Sequence, residues 1–320
     1  MISMLLLFFL TRFPKGQTMK IINNNQDNVT LLTELFVEVS EFMKTFKPVF
    51  EKYLIGEKRQ RPFCRLDICE IMTILIAFQI IGAQNFKQYY NDIILQYHRA
   101  EFPDRVSYQR SVGIAPIAII PLAIFLKFGI EMSEKTGLYV IDSASLCVCE
   151  NIRIPGHKVF KEMAQRGKTS VGRFYGFRLH SVINHLGELM AVHITAGNID
   201  DRIPVSAMVR ELRGKLSGDK GYIKKVPARE LFEQGLEFIT TIKKNMKQSL
   251  SVYDRILLRK RAIIETADDL LKNHFQVGHS RHRSSAGFMN NVLTALIAYT
   301  FYPTKPEMRG VDMQYAVIAI

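Results

Sequence analysis

Cysteine is scarce in this chain: Cys64, Cys69, Cys147 and Cys149 are the only four in 320 residues. A small secreted scaffold stapled by disulfides would be far denser in them. Cys147 and Cys149, one residue apart on an extended segment, point the same way and are badly placed to bond to each other. No Cys/His set has zinc spacing. The thiols therefore read as free, which places the chain in a reducing cytoplasm. Long apolar runs are also missing. A membrane-spanning helix needs about 20 apolar residues. Ile71–Ile81 is too short, and Val112–Leu126 is interrupted by Pro116 and Pro121. The N-terminal run Leu5–Leu10 has no basic residue before it and no small-residue cleavage site after it, so it makes a poor signal peptide. Met19 opens a more ordinary start, and residues 1–18 read as a start-site extension. There is no internal repeat and no long low-complexity tract. A nucleotide-binding loop is excluded as well: Gly167-Lys168-Thr169 would need glycine at 162, which is Glu162.

Acidic residues are outnumbered, 30 against 43 basic, for a net charge of +13. The surplus is local. Residues 1–150 hold 16 Lys and Arg against 15 Asp and Glu, whereas residues 151–290 hold 25 against 13. A basic surplus in one segment fits a polyanionic partner; a solvated basic face is the plainer alternative.

The hydrophobic pattern changes period near Gly137. Upstream, Leu31, Leu32, Leu35, Phe36 and Val39, then Ile68, Ile71, Met72, Leu75 and Ile76, recur at helical spacing, with Asp67 as a candidate cap. Residues 19–135 thus read as an all-helical domain. Downstream, Leu138–Asp142, Phe174–Asn184 and Leu189–Thr195 read as an antiparallel meander. A helix over Pro204–Leu212, a short strand at Lys215–Gly218, a helix over Arg229–Gln234, a strand at Phe238–Ile242 and a long helix over Ser251–Phe275 follow. This order is a mixed α/β layout, matching a ribonuclease H-like sheet across residues 136–305. Residues 306–320 form an irregular tail without helix or strand logic.

Three carboxylates stand out. Asp142 follows an apolar strand, where a metal can reach it at a sheet rim; by itself it also reads as a turn aspartate. Asp219 lies between Gly218 and Gly221, which favour a tight turn and close approach of a phosphate; a polar turn is the plainer reading. Glu265 shares a helix face with Arg261, Asp268 and Lys272 at i−4, i+3 and i+7, while Ile263, Ile264, Ala267, Leu270 and Leu271 lie largely on the other sides and can pack inward. A solvated face with an Arg–Glu pair explains that helix equally well. Taken together, three acids suit a pair of Mg²⁺ ions, with Mn²⁺ a substitute, acting on phosphodiesters. The cluster His279-Ser280-Arg281-His282-Arg283 fits phosphate contacts better than metal ligation.

These segments together resemble bacterial insertion-sequence transposases of the DDE class, most closely the insertion sequence 982 group. The resemblance is carried by Val140-Ile141-Asp142-Ser143, Asn151–Ile154, His157–Lys161, Arg166–Ser170, Tyr175-Gly176-Phe177, Gly197-Asn198, Asp200-Asp201-Arg202, Gly218–Tyr222, Ile263–Thr266 and His279–Ser284. It covers roughly 137–305, and 19–136 more loosely. It implies a metal-dependent catalytic triad of Asp142, Asp219 and Glu265, DNA as partner through terminal inverted repeats and target, cleavage and strand transfer, and a homodimer in the synaptic complex. The spacing of a Tyr-Arg-Glu-Lys signature is met by Arg261, Glu265 and Lys272, with Leu258 at the Tyr position. Lys158, Lys168, Lys220, Tyr222, Arg261, Lys272, Arg281 and Arg283 are the expected DNA contacts, and the nucleoid is the expected place of action. A decayed copy that only binds DNA, and a nuclease that cuts without joining, are the competing readings.

Overall fold

The computed structural model describes residues 28–54, 65–169, 172–222, 228–241, 250–278 and 282–315. The principal elements in chain order are α1 (Asn28–Leu54), α2 (Ile68–Ile80), α3 (Tyr108–Ile114), α4 (Ile119–Met132), β1 (Leu138–Cys149), β2 (Gln165–Lys168), β3 (Arg173–Asn184), β4 (Leu189–Ala196), α5 (Val205–Met208), β5 (Gly214–Ser217), α6 (Ala228–Glu233), β6 (Leu236–Ile239), α7 (Val252–Lys260), α8 (Ile263–Asp269) and α9 (Ser285–Phe301). They form two compact units. The proposed start-site extension 1–18, the thiol Cys64 and the basic residue Arg281 lie outside the described residues.

The helical unit comprises the described residues up to 132 together with 274–277 and 282–303. Helix α9, which the sequence reading placed within the catalytic segment 136–305, belongs to this unit. Asp67 caps α2 as expected: its side chain accepts from the Cys69 amide, and Glu70 reaches back to the Asp67 amide. Leu31, Leu32, Leu35 and Val39 are buried, and Phe42 packs on Phe125, ring centroids 4.9 Å apart. The prolines do not break the chain where expected. Pro116 sits in the first turn of a 3₁₀ segment, Ala115–Ala118, and helix continues on both sides. That segment shifts the Ile119 amide to the Pro116 carbonyl, and Asn290 of α9 donates to the Ala115 carbonyl at 2.9 Å. Tyr108–Met132 is therefore a continuous 25-residue stretch, long and apolar enough to cross a membrane by length and composition alone. Of its most apolar window, 56% is buried inside the protein, as in a core helix.

The second unit is a mixed sheet with helices on both faces. Its strand order is β2-β3-β1-β5-β6, with β4 also pairing β3. β1, β2 and β4 all run antiparallel to β3, while β5 is parallel to β1 and β6 to β5. β2 and β4 occupy the same edge of β3 in succession, β2 along Arg173–Gly176 and β4 along Phe177–Ile183. The meander was legible in sequence, but β2 was not, because its Arg166 and Lys168 hide any apolar alternation. One sheet face carries Tyr139, Ile141, Val182 and Leu216, packed with Val205, Val209, Leu212 and Leu231 from the α5 and α6 segments. Strand alternation puts Val140, Asp142, Lys215 and Ser217 on the other face. There Lys215 joins Glu237 of β6 and Asp254 of α7, at 2.5 and 3.1 Å.

The tail has more structure than its sequence suggests. Met308 is buried, and its amide donates to the His185 carbonyl at 2.8 Å. The Asp312 carbonyl accepts from the Tyr253 hydroxyl at 2.8 Å, and Lys260 reaches the Arg309 carbonyl. Hydrogen bonds to its backbone, invisible to hydropathy, pin this strap to α7 side chains and to the β3–β4 turn.

Candidate active site

Asp142 is not at the end of its strand. It is the fifth residue of β1, which continues to Cys149. What ends beside it is the parallel ladder: the last β1–β5 pair is Val140 with Ser217. Asp142 and Asp219 each lie two residues beyond that pair. β5 ends at Ser217, and the Gly218 that follows sits where a side chain would fit tightly. A Cβ would lie 3.0 Å from both the Ile141 side chain and the Phe238 ring. The glycine thus serves packing. Gly221 has open space around it, and neither glycine has the positive φ of a left-handed turn.

On its other side Asp142 pairs with Ser181 of β3. The Ser181 hydroxyl donates to Asp268 Oδ1 at 3.4 Å, which sets α8 over this face. The expected helix over Ser251–Phe275 is broken here. After α7 the amides of Ile264 and Glu265 bond to the carbonyls of Arg261 and Ala262, three residues back. A π-helical turn, Leu270–His274, ends the segment. These irregularities rotate the faces that a straight helix would present. Asp268, expected on the solvent face with Glu265, is only 8% exposed and shares the inward stripe with Ile264, Ala267 and Leu271.

The acids sense one another. Burial pushes the Asp142 carboxyl above the usual aspartate range. The Ser143 amide, bonded to Asp142 Oδ1 at 2.7 Å, and the Arg261 guanidinium oppose this, while the charges of Asp219 and Glu265 push further upward. Asp268 is raised to about 7, first by burial and then by Asp142, against Lys272 and Ser181. Arg261 lies between two of the acids. Its Nη1 is 3.6 Å from Asp142 Oδ2 and its Nη2 is 3.5 Å from Glu265 Oε1. The donor set is chemically right for a hard divalent cation, which takes carboxylate oxygens. Among the described residues no three acids are yet gathered at ligating distance.

The expected DNA contacts fall into different environments. Lys158, Lys168, Lys220 and Arg283 are exposed, and Lys272 is half-buried. Arg261 is engaged by carboxylates. Tyr222 is 3% exposed and packs among Tyr139, Ile141 and Leu231. A surface contact is closed to it, because its ring fills the core beneath the Asp219 turn. Asp268, read from the sequence as sharing the Glu265 face, lies instead against Ser181 and feels Asp142; its spacing of four from Ile264 and three from Leu271 carried that signal. The cysteines described, Cys69, Cys147 and Cys149, are free.

Comparison with known proteins gives one family. Residues 132–285, a little under half of the chain, match the family described as transposase DDE domain. No curated protein matches the chain. The family match supports a DDE-class transposase, an enzyme type that acts on DNA.

Proposed function

We propose that this chain cuts DNA at the terminal inverted repeats of a mobile element and joins the ends to target DNA, as a DDE transposase of the insertion sequence 982 group with a ribonuclease H-like catalytic segment. One observation carries the reading: Asp142 and Asp219 lie level, two residues past the Val140–Ser217 pair, and the Asp142 carboxyl feels both Asp219 and Glu265. Asp142, Asp219 and Glu265 would hold divalent ions, Mg²⁺ or Mn²⁺. A metal pair bound there supplies an acidified nucleophile and a stabilised leaving oxygen for in-line displacement.

The chain's own residues do the rest. The Ser143 amide fixes one Asp142 oxygen. Arg261 exchanges its carboxylate partners for a backbone phosphate when DNA arrives, a change that suits a guanidinium fork. Lys220, exposed next to Asp219, offers a further phosphate contact. Synapsis of two ends calls for a homodimer, and the substrate places the work on the nucleoid in the cytoplasm.

The test is a nicking and strand-transfer assay on duplexes carrying the element's own ends, with and without Mg²⁺. Asp142→Ala is expected to lower cleavage by at least about 100-fold, the scale of losing one electrostatic contact to the transition state, while end binding persists. Loss of end binding together with cleavage would give Asp142 a structural role instead. Hydrolysis with no joining of a pre-cut end would make the enzyme a nuclease.

A further inference from the structure

A cleft lined largely by basic side chains lies where β2 and β4 meet along the edge of β3. At this junction the Gly197 amide donates to the Gly176 carbonyl at 2.9 Å. The backbones run too close for side chains: a Cβ at Gly167 would fall 2.3 Å from the Gly197 carbonyl oxygen. The cleft, about 590 Å³, is lined by Arg166, Lys168, Arg173, Arg178, Asp200 and Asp201, together with the 197–199 turn.

The charges divide unequally. Arg178 holds both Asp201 oxygens at 3.0 Å, the Gly197 carbonyl at 3.2 Å and the Lys168 carbonyl at 2.6 Å. Its donors are spent on tying the ends of β2 and β4 together. Asp200 is taken by Arg202. Both acids of the cleft are thereby neutralised. Arg166, Lys168 and Arg173 are exposed, and none has an ion-pair partner among the described residues. Lys168 and Arg173 are also direct cross-strand partners. Like charges placed directly opposite destabilise a sheet pair, and an anion set between them relieves that repulsion.

We propose that this cleft grips the sugar-phosphate backbone of DNA; Arg178, which also reaches the Ser143 hydroxyl at 3.5 Å, ties it to the strand that carries Asp142. The inference rests on the DNA reading above. An open, exposed row of cations suits a chain of phosphates rather than one enclosed ion, and the surrounding segment 151–290 carries 25 basic against 13 acidic residues. Arg178 is the clamp that preforms the cleft, not a contact.

The experiment measures binding of a duplex of arbitrary sequence against salt concentration, for the full chain and for Lys168→Ala/Arg173→Ala and Lys168→Glu. Each phosphate contact contributes about 0.9 to the slope of log K against log salt. The double variant should lose nearly 2 from that slope and bind about 10–100-fold more weakly at ~0.1 M salt. Lys168→Glu creates an ion pair with Arg173, so it should melt no lower than the parent while binding at least as poorly as the double variant. An unchanged slope in both, with DNA bound by the parent, overturns the cleft and leaves the catalytic reading standing. If the parent binds DNA through the cleft yet never cuts it, the cleft stands and the catalytic reading falls. No binding by the parent sinks both.

Discussion

Arg261 and Asp142 form an ion pair, Nη1 to Oδ2 3.6 Å, and the same guanidinium reaches Glu265 at 3.5 Å. One cation thus stands among carboxylates that otherwise repel, in the position a divalent ion would contest. The pair is partly shielded from water, with Arg261 21% and Asp142 26% exposed. Replacing Arg261 by Gln is expected to tighten Mn²⁺ binding to the DNA-free protein about 2–5-fold, the range of a partly exposed ion pair. It should weaken DNA binding at the same time. Calorimetric titration with Mn²⁺ checks the first effect, and equal affinity in parent and variant would show that Arg261 does not compete with metal.

Asp268 gives a pH dependence of opposite sense to an ordinary paired aspartate. Its folded value, about 7, lies above the ordinary 3.8. Between those values the folded chain binds more protons than the unfolded one, so stability falls as pH rises through the window. Asp268→Asn keeps an acceptor for Ser181 and removes the titration. The variant should be more stable at pH 8, by on the order of 4 kcal/mol, with the gain gone near pH 4. Urea unfolding at both pH values reads this out, and a pH-independent difference would mean that the carboxyl is ionised throughout.

His180 works on the acid side. It is fully buried, shares a 2.8 Å hydrogen bond with Thr195, and burial lowers its pKa to about 4 despite the nearby Asp201. Between pH 6.5 and 4 the unfolded chain binds the proton that the folded chain refuses, so stability drains away as pH falls. His180→Gln should flatten this limb by on the order of 3 kcal/mol relative to the parent. Parallel stability curves for the two proteins over pH 4–7 would disprove a buried neutral imidazole.

Tyr222 separates packing from recognition. Tyr222→Phe should leave DNA affinity unchanged, because the ring lies in the core. Tyr222→Ala should cost about 3–5 kcal/mol of stability, as for other large aromatic deletions. A several-fold loss of DNA affinity in the Phe variant, at unchanged melting temperature, would restore a contact for the hydroxyl.

The amino-acid sequence by itself determined where helix gives way to sheet, since that switch is a change of hydrophobic period between neighbours in the chain. It also determined the Asp67 cap, the β1–β3–β4 meander and the concentration of positive charge after residue 150. Short range suffices for each of these: a cap needs three residues, an alternation about six. Tertiary structure alone decided what surrounds each acid. The break between α7 and α8 turned Asp268 inward, the early stop of β5 opened the flank of Asp142, and the core drew in Tyr222. It likewise returned α9 to the helical unit and carried helix through Pro116. These outcomes depend on which backbone groups and side chains meet across tens or hundreds of residues, and no local pattern encodes such a meeting.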